Sequence, residues 1–301
     1  MTETIGQNLS AVAPMAVPAE QAPQRPSKRR GRRRAVGACA GAVWLGLMIF
    51  AAITADLLPL PDPAKIGDEF SAVPFSSWEH VLGTDSLGRD VLSRCIYGAR
   101  VSMIVAIGST LIAMVIGVTC GLVAGYFRGP VDRALSLVIN FLLSFPALIF
   151  LIALVAAMGP SLTTLLIGLS LLGIPNFARV ARANTIAFAD REFVTAAKAL
   201  GAGPFRVLRR ELLANVMLPV MSLALVVMAT LVVAEGSLSF LGLGIPPPTP
   251  SWGGMLAAGR ESLSTDPHLM FVPAAFFFLT VYSFNVLGDW VRGRIGRESA
   301  L

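Results

Sequence analysis

An all-α integral membrane fold of about six transmembrane helices, with both termini in the cytoplasm, is predicted from three observations. The 301 residues are 55% apolar and only 14% charged, well short of the roughly 25% charge of a soluble domain, so the chain has too little polar surface to coat itself. The apolar residues are gathered in uncharged runs of membrane-spanning length. The Lys and Arg residues between those runs alternate in density from one side to the other.

Residues 1–34 read as a cytoplasmic tail, disordered and then basic. The Pro/Ala/Gln-rich stretch around 11–26 can bury no core, and Lys28, Arg29, Arg30, Arg32, Arg33 and Arg34 follow it. The uncharged run 35–55 could belong to a signal peptide cleaved near Ala55, but it exceeds the roughly 7–15 residues of an h-region. It is expected to be a retained first helix over 35–56. Further uncharged runs cover 101–127, 134–178, 212–234 and 267–288, against the roughly 20 residues that one crossing needs. The run 134–178 would extend about 68 Å as one helix, over twice the hydrocarbon thickness. Gly159, Pro160 and Ser161 supply a break within it, which makes six spans.

With the basic terminus placed in the cytoplasm, 19 of the 24 Lys and Arg residues fall on that side and five on the other, as the positive-inside bias demands. The transmembrane core is then 101–291, followed by a cytoplasmic tail 292–301. Three segments outside the bilayer are long enough to carry function: an external one over 57–100, a cytoplasmic one over 179–215 and an external loop over 235–266.

Several functions are excluded. The net charge of +6 is interleaved with apolar runs rather than gathered on a soluble domain, so no nucleic-acid partner is expected. Cys39, Cys95 and Cys120 have no metal-ligand spacing, and His80 and His268 each suit a local hydrogen bond. No nucleophile with a base and no phosphate loop of the G-x-x-x-x-G-K-[ST] kind occurs. No catalytic group, cofactor or metal is therefore expected, and no segment of the chain is suited to bind ATP. Asp190 and Glu192 flank Arg191 and read as a solvated helix start.

In the cytoplasmic segment, Phe193, Ala196, Ala197 and Leu200 share one helical face. Gly201 stops that helix, and Pro204 suits the first position of another. Phe205, Leu208 and Leu212 form the apolar stripe of the second helix, with Arg206, Arg209 and Arg210 left charged. Such a hairpin can lie on the membrane surface or dock a soluble partner. Gly117, Gly121 and Gly125 put small residues on one face of span 2, where another backbone can approach closely. Pro146, with Asn140 and Ser144 nearby, predicts a bent, partly polar span 3 that can line a pathway.

Two segments carry a family resemblance. Residues 80–90 (HVLGTDSLGRD), followed by 91–100 (VLSRCIYGAR), and residues 237–253 (SLSFLGLGIPPPTPSWG) resemble motifs of the membrane subunits of bacterial ABC importers for dipeptides and oligopeptides. Of that family's two permeases, the chain is similar to the C-type. The cytoplasmic segment resembles the family's coupling motif, E-A-A-x3-G-x9-I-x-L-P, through Ala196, Ala197, Gly201 and Leu213. It departs from that motif at Thr195, Glu211 and Ala214.

The resemblance implies import of short peptides by an assembly of this chain, a second related permease, two cytoplasmic ATPases and an extracytoplasmic binding protein, within membrane lipid. It also implies an ATPase-coupling site at Phe193, Thr195, Ala196, Ala197, Leu200, Gly201 and Phe205. Candidates for docking of the binding protein are Asp85, Arg89, Asp90, Trp252, Arg260 and Asp266. Within the same architecture the cargo could instead be a nickel complex, glutathione or a haem-like ligand. A standalone secondary transporter is the rival from another class, and it would need ionisable residues at mid-membrane.

Overall fold

The computed structural model describes residues 28–298, with side chains over 35–294. The expected disorder before Lys28 lies outside the described residues. Among the described residues the chain is helical without a strand; one isolated bridge joins Thr84 to Asp90. The helices are α1 (Lys28–Thr54), α2 (Val91–Phe127), α3 (Gly129–Ser144), α4 (Ala147–Met158), α5 (Leu162–Ala189), α6 (Glu192–Ala199), α7 (Pro204–Arg206), α8 (Leu213–Phe240), α9 (Trp252–Glu261) and α10 (His268–Glu298). A π-helical stretch over Val207–Leu212 joins α7 to α8 without a break.

Five helices are long and apolar enough to cross a membrane alone, and α3 with α4 makes a sixth crossing if the bent pair is one span. The two are inclined at 86°. Pro146 sits at the bend as the N-cap of α4, where its missing N–H breaks the helical ladder, and the chain turns again at Gly159–Ser161 before α5. The break in the long apolar run therefore falls where the sequence placed it, and the proline adds a second.

Packing centres on α2 against α5. A Cβ on Gly117 would stand 2.7 Å from the Ile174 carbonyl oxygen, and one on Gly121 would stand 2.5 Å from that of Ala178. Gly125 meets Thr185 in the same way. The small-residue face thus serves close backbone approach, which drives helix association where no hydrophobic effect operates between helices. Val105, Leu165, Leu169, Phe177 and Val216 fill the core around this pair, and α1 packs on α10 and α2 through Leu45, Met48 and Phe284.

Two span boundaries move outward from the charge-free runs. Helix α2 starts at Val91, ten residues before 101, because Arg94 and Arg100 satisfy their charges locally. Arg94 donates to the Pro63 carbonyl at 3.0 Å, and Arg100 donates to the Ala52 carbonyl and to Asp56, each at 2.9 Å. Helix α8 runs on to Phe240, so Glu235 lies inside it and fully buried rather than at a span end as expected. Ser239 Oγ donates to one carboxyl oxygen at 2.7 Å and Ser102 Oγ to the other at 3.3 Å.

Candidate functional site

The molecule has a loop end, holding residues 55–90 and 241–267, and a hairpin end, holding α6, α7 and the turns beside them. At the loop end, Asp85 closes a tight turn: its Oδ1 accepts from the backbone N–H of Leu87 and Arg89, and its Oδ2 from Arg89 Nε at 2.8 Å. Arg94 approaches the same carboxylate at 3.6 Å. Asp90 caps α2, accepting from the Ser93 N–H at 2.6 Å and pairing with His80 Nδ1 at 2.9 Å. The indole N–H of Trp252 donates to the Cys95 carbonyl at 2.9 Å, which locks α9 against α2. A small pocket between these elements is lined by Asp85, Arg89, Arg94, Met255 and Ser262.

This geometry divides the docking candidates. Asp90 and Trp252 are buried, so they cannot touch a partner. Their polar atoms are spent within the chain, where they shape the surface around them. Asp85 and Arg89 are largely committed to each other. Arg260 stays exposed over the Phe240 ring, and Asp266, half-buried, accepts from Thr265 Oγ1 at 3.0 Å.

At the hairpin end, α6 finishes at Ala199, and Gly201 takes φ +84°, a left-handed conformation that costs a glycine little. Pro204 occupies the first turn of α7. Val194 and Val207 are fully buried and pin the hairpin to the bundle, while Lys198 lies 5.2 Å from the centre of the Tyr126 ring. Phe193, Thr195, Ala196 and Gly201 are exposed, Ala197 is half-buried, Leu200 is 90% exposed and Phe205 73% exposed. The second stripe differs from the expected one. Leu212 is buried and Leu208 partly so, but Phe205 points outward, because the wider π turns set Val207 and Leu212, five residues apart, on the inner face.

The third group, Asn140, Ser144 and Pro146, is exposed along the bent pair. Asn140 Oδ1 accepts from Arg179 Nη2 at 3.2 Å, and Ser144 Oγ donates to the Asn140 carbonyl at 2.8 Å. Nearer the hairpin end, Arg182 clasps Asp132 through Nε at 2.5 Å and Nη2 at 2.7 Å, and Arg128 meets Asp190 at 2.8 Å. These partners on α3 and α5 were missed by the sequence reading. Their signal was present as polar residues four apart at Asp132, Ser136, Asn140 and Ser144, half hidden by starting the span at 134.

The model of the family described as "Binding-protein-dependent transport system inner membrane component" matches residues 117–298. The chain belongs to this family. The permease is 36% identical over 270 residues to the glutathione transport system permease protein GsiD of Pectobacterium atrosepticum, covering 90% of this chain and 89% of that one. It is 33% identical over 262 residues to the di/tripeptide transport system permease protein DppC of Pseudomonas aeruginosa, covering 85% and 86%.

Among solved structures, the permease resembles a chain of the MetNI methionine ABC transporter in an inward-facing form. The TM-score is 0.54 at 20% identity, over 66% of this chain and 95% of that one. A chain of an amino acid ABC transporter with histidines gives 0.53 at 16%, over 67% and 94%. These likenesses establish the shared fold. The permease is a multi-pass inner-membrane protein, and its family sets aside the standalone secondary transporter.

Proposed function

We propose that this chain is the C-type permease of an ABC importer that moves short peptides into the cytoplasm, with the hairpin end cytoplasmic and the loop end external. The single observation that carries the reading is the hairpin. Two buried valines hold it to the bundle while Phe193, Leu200 and Phe205 stay uncovered. The helix after it continues through the π turn into α8, so a push on the hairpin is passed to a span rather than lost in a loop.

In this reading two cytoplasmic ATPase subunits seat α6 in a groove, and their closure on ATP moves α8 and rocks the bundle against a second permease. The equilibrium between inward- and outward-open states is thereby biased without any chemistry in this chain. Arg260 and Asp266 lie where an external binding protein would deliver cargo. Relatives named for dipeptides, di/tripeptides and glutathione support a peptide cargo, glutathione being itself a tripeptide.

The test is uptake by the complete assembly in proteoliposomes, with ATP inside and the binding protein outside. ATP-dependent accumulation of a labelled dipeptide or of glutathione is expected. Accumulation of neither overturns the peptide reading.

A further inference from the structure

The seam between α3 and α5 is polar where most of the exposed bundle is apolar. Asp132, Ser136, Asn140 and Ser144 recur every four residues on α3, a spacing that keeps them on one slowly winding stripe. Helix α5 faces them with Arg179 and Arg182, and Asn176 is exposed one turn before. Elsewhere many exposed side chains of the spans are large and apolar, as at Ile112, Val115, Phe271 and Phe278, and exposed polar ones such as Thr119, Thr230 and Asn285 bond the backbone of their own helix. A polar stripe at membrane depth faces a wet cavity or the interior of an assembly, because hydrocarbon offers it no partner.

The two arginines on α5 are not equivalent. Arg182 is bidentate to Asp132, so its charge is compensated. Arg179 donates to the neutral amide of Asn140 and forms an ion pair with none of the described carboxylates. It lies 17 residues after Leu162 in α5, about 26 Å along the axis, toward the hairpin end of that candidate span and one residue past the uncharged run 134–178. A guanidinium carries five N–H donors in a fork that matches a carboxylate. One of them is spent on Asn140, which orients the fork and leaves the others free.

We infer that Arg179, held by Asn140, is a carboxylate-binding group on the translocation route and reads the free C-terminal carboxylate of the passing peptide, an assignment that rests on the peptide-import reading above. Partial satisfaction by a neutral partner suits a transit site, which must bind well enough to admit cargo and weakly enough to release it. The Arg182–Asp132 pair sits one turn nearer the hairpin end and has no charge to spare.

The experiment uses the complete reconstituted importer and measures the ratio of uptake rates for a dipeptide and its C-terminal amide, with glutathione and its glycyl amide as a parallel pair. Any preference of the binding protein is common to every variant and cancels when the ratios are compared. For Arg179→Gln the acid-to-amide ratio falls about tenfold, the worth of one charge-assisted hydrogen bond. For Arg179→Lys, which keeps the charge and guards against a folding artefact, most of the ratio returns. For Arg133→Gln, an exposed arginine of α3 off the stripe, the ratio stays at the wild-type value.

An unchanged ratio in Arg179→Gln overturns the assignment. So does an equal loss of both substrates, as an arginine holding a lipid phosphate would give, or an equal fall in Arg133→Gln. A wild-type importer that carries neither acid nor amide overturns the peptide reading itself. One that carries peptide while Arg179→Gln keeps the ratio overturns the subsite alone.

Discussion

The two ends of the molecule treat their side chains in opposite ways. At the loop end, the groups beside the α2 N-terminus are used up inside the chain, although Trp78 and Phe75 stay exposed: Asp85 with Arg89, Asp90 with His80 and the α2 N-terminus, and the Trp252 indole with the Cys95 carbonyl. At the hairpin end, two valines make the attachment and the larger apolar groups are left out, as Leu200 and Phe205 show. The first set of groups finds its partners within the chain. The second leaves its larger apolar groups uncovered, and it runs through the π turn into α8. Stability and transport are therefore expected to separate: substitutions at the loop end lower stability first, and substitutions on the outer face of the hairpin lower transport first.

The largest stability loss is expected for Trp252→Ala. The side chain is fully buried and bonded, and removing a large aromatic from such a site costs about 3–5 kcal/mol. A clearly lowered Tm of the purified permease in detergent is the expected result; an unchanged Tm would break the view of the loop end as a self-contained cap. Next is Val194→Ala at the hairpin end. Emptying that site forfeits about 2 kcal/mol of buried surface and loosens the hairpin, which limited proteolysis between α6 and α8 reports as faster cleavage. Asp90→Ala follows at about 1 kcal/mol, the worth of an N-cap, with Asp90→Asn restoring most of the loss because an amide oxygen still accepts from the Ser93 N–H.

The contrast between the ends also marks what was legible in the sequence. Spans were visible wherever charge was absent for about 20 residues, and the turn at Gly159–Ser161 and the stop at Gly201 were visible from residue type alone. Spans were hidden where a charge is neutralised inside a helix. Arg94 and Arg100 hid the first ten residues of α2, and Glu235 hid the last turns of α8, since their partners at Pro63, Ala52, Ser102 and Ser239 are mostly remote in sequence. Motif likeness marked Asp90 and Trp252 as candidates for contact. Only the structure shows that both side chains are buried and bonded within the chain. The hairpin was legible because its chemistry is local, whereas the inner stripe through Val207 and Leu212 depends on a π turn that no spacing rule announces.

The smallest stability effect is expected for Leu200→Glu, and it bears most directly on coupling. Leu200 caps α6 and is 90% exposed, touching little of its own chain, so the substitution should change stability by less than about 0.5 kcal/mol. The same change puts a charge on the face proposed to enter the ATPase groove. A charge taken out of water there without a partner costs several times as much as the folding change, roughly 3 kcal/mol or more. The variant should insert, keep its Tm and pair with the second permease, yet lose its ATPase subunits on purification or hydrolyse ATP without moving cargo. Ala197→Glu, on the same face and half-buried, should behave alike. Arg206→Ala, which removes an exposed charge from the following turn, should do neither, because such charges contribute little. If Leu200→Glu complexes retain both ATPases and transport at the wild-type rate, the uncovered face of α6 only rests on the membrane surface, and the two ends do not differ in the way drawn here.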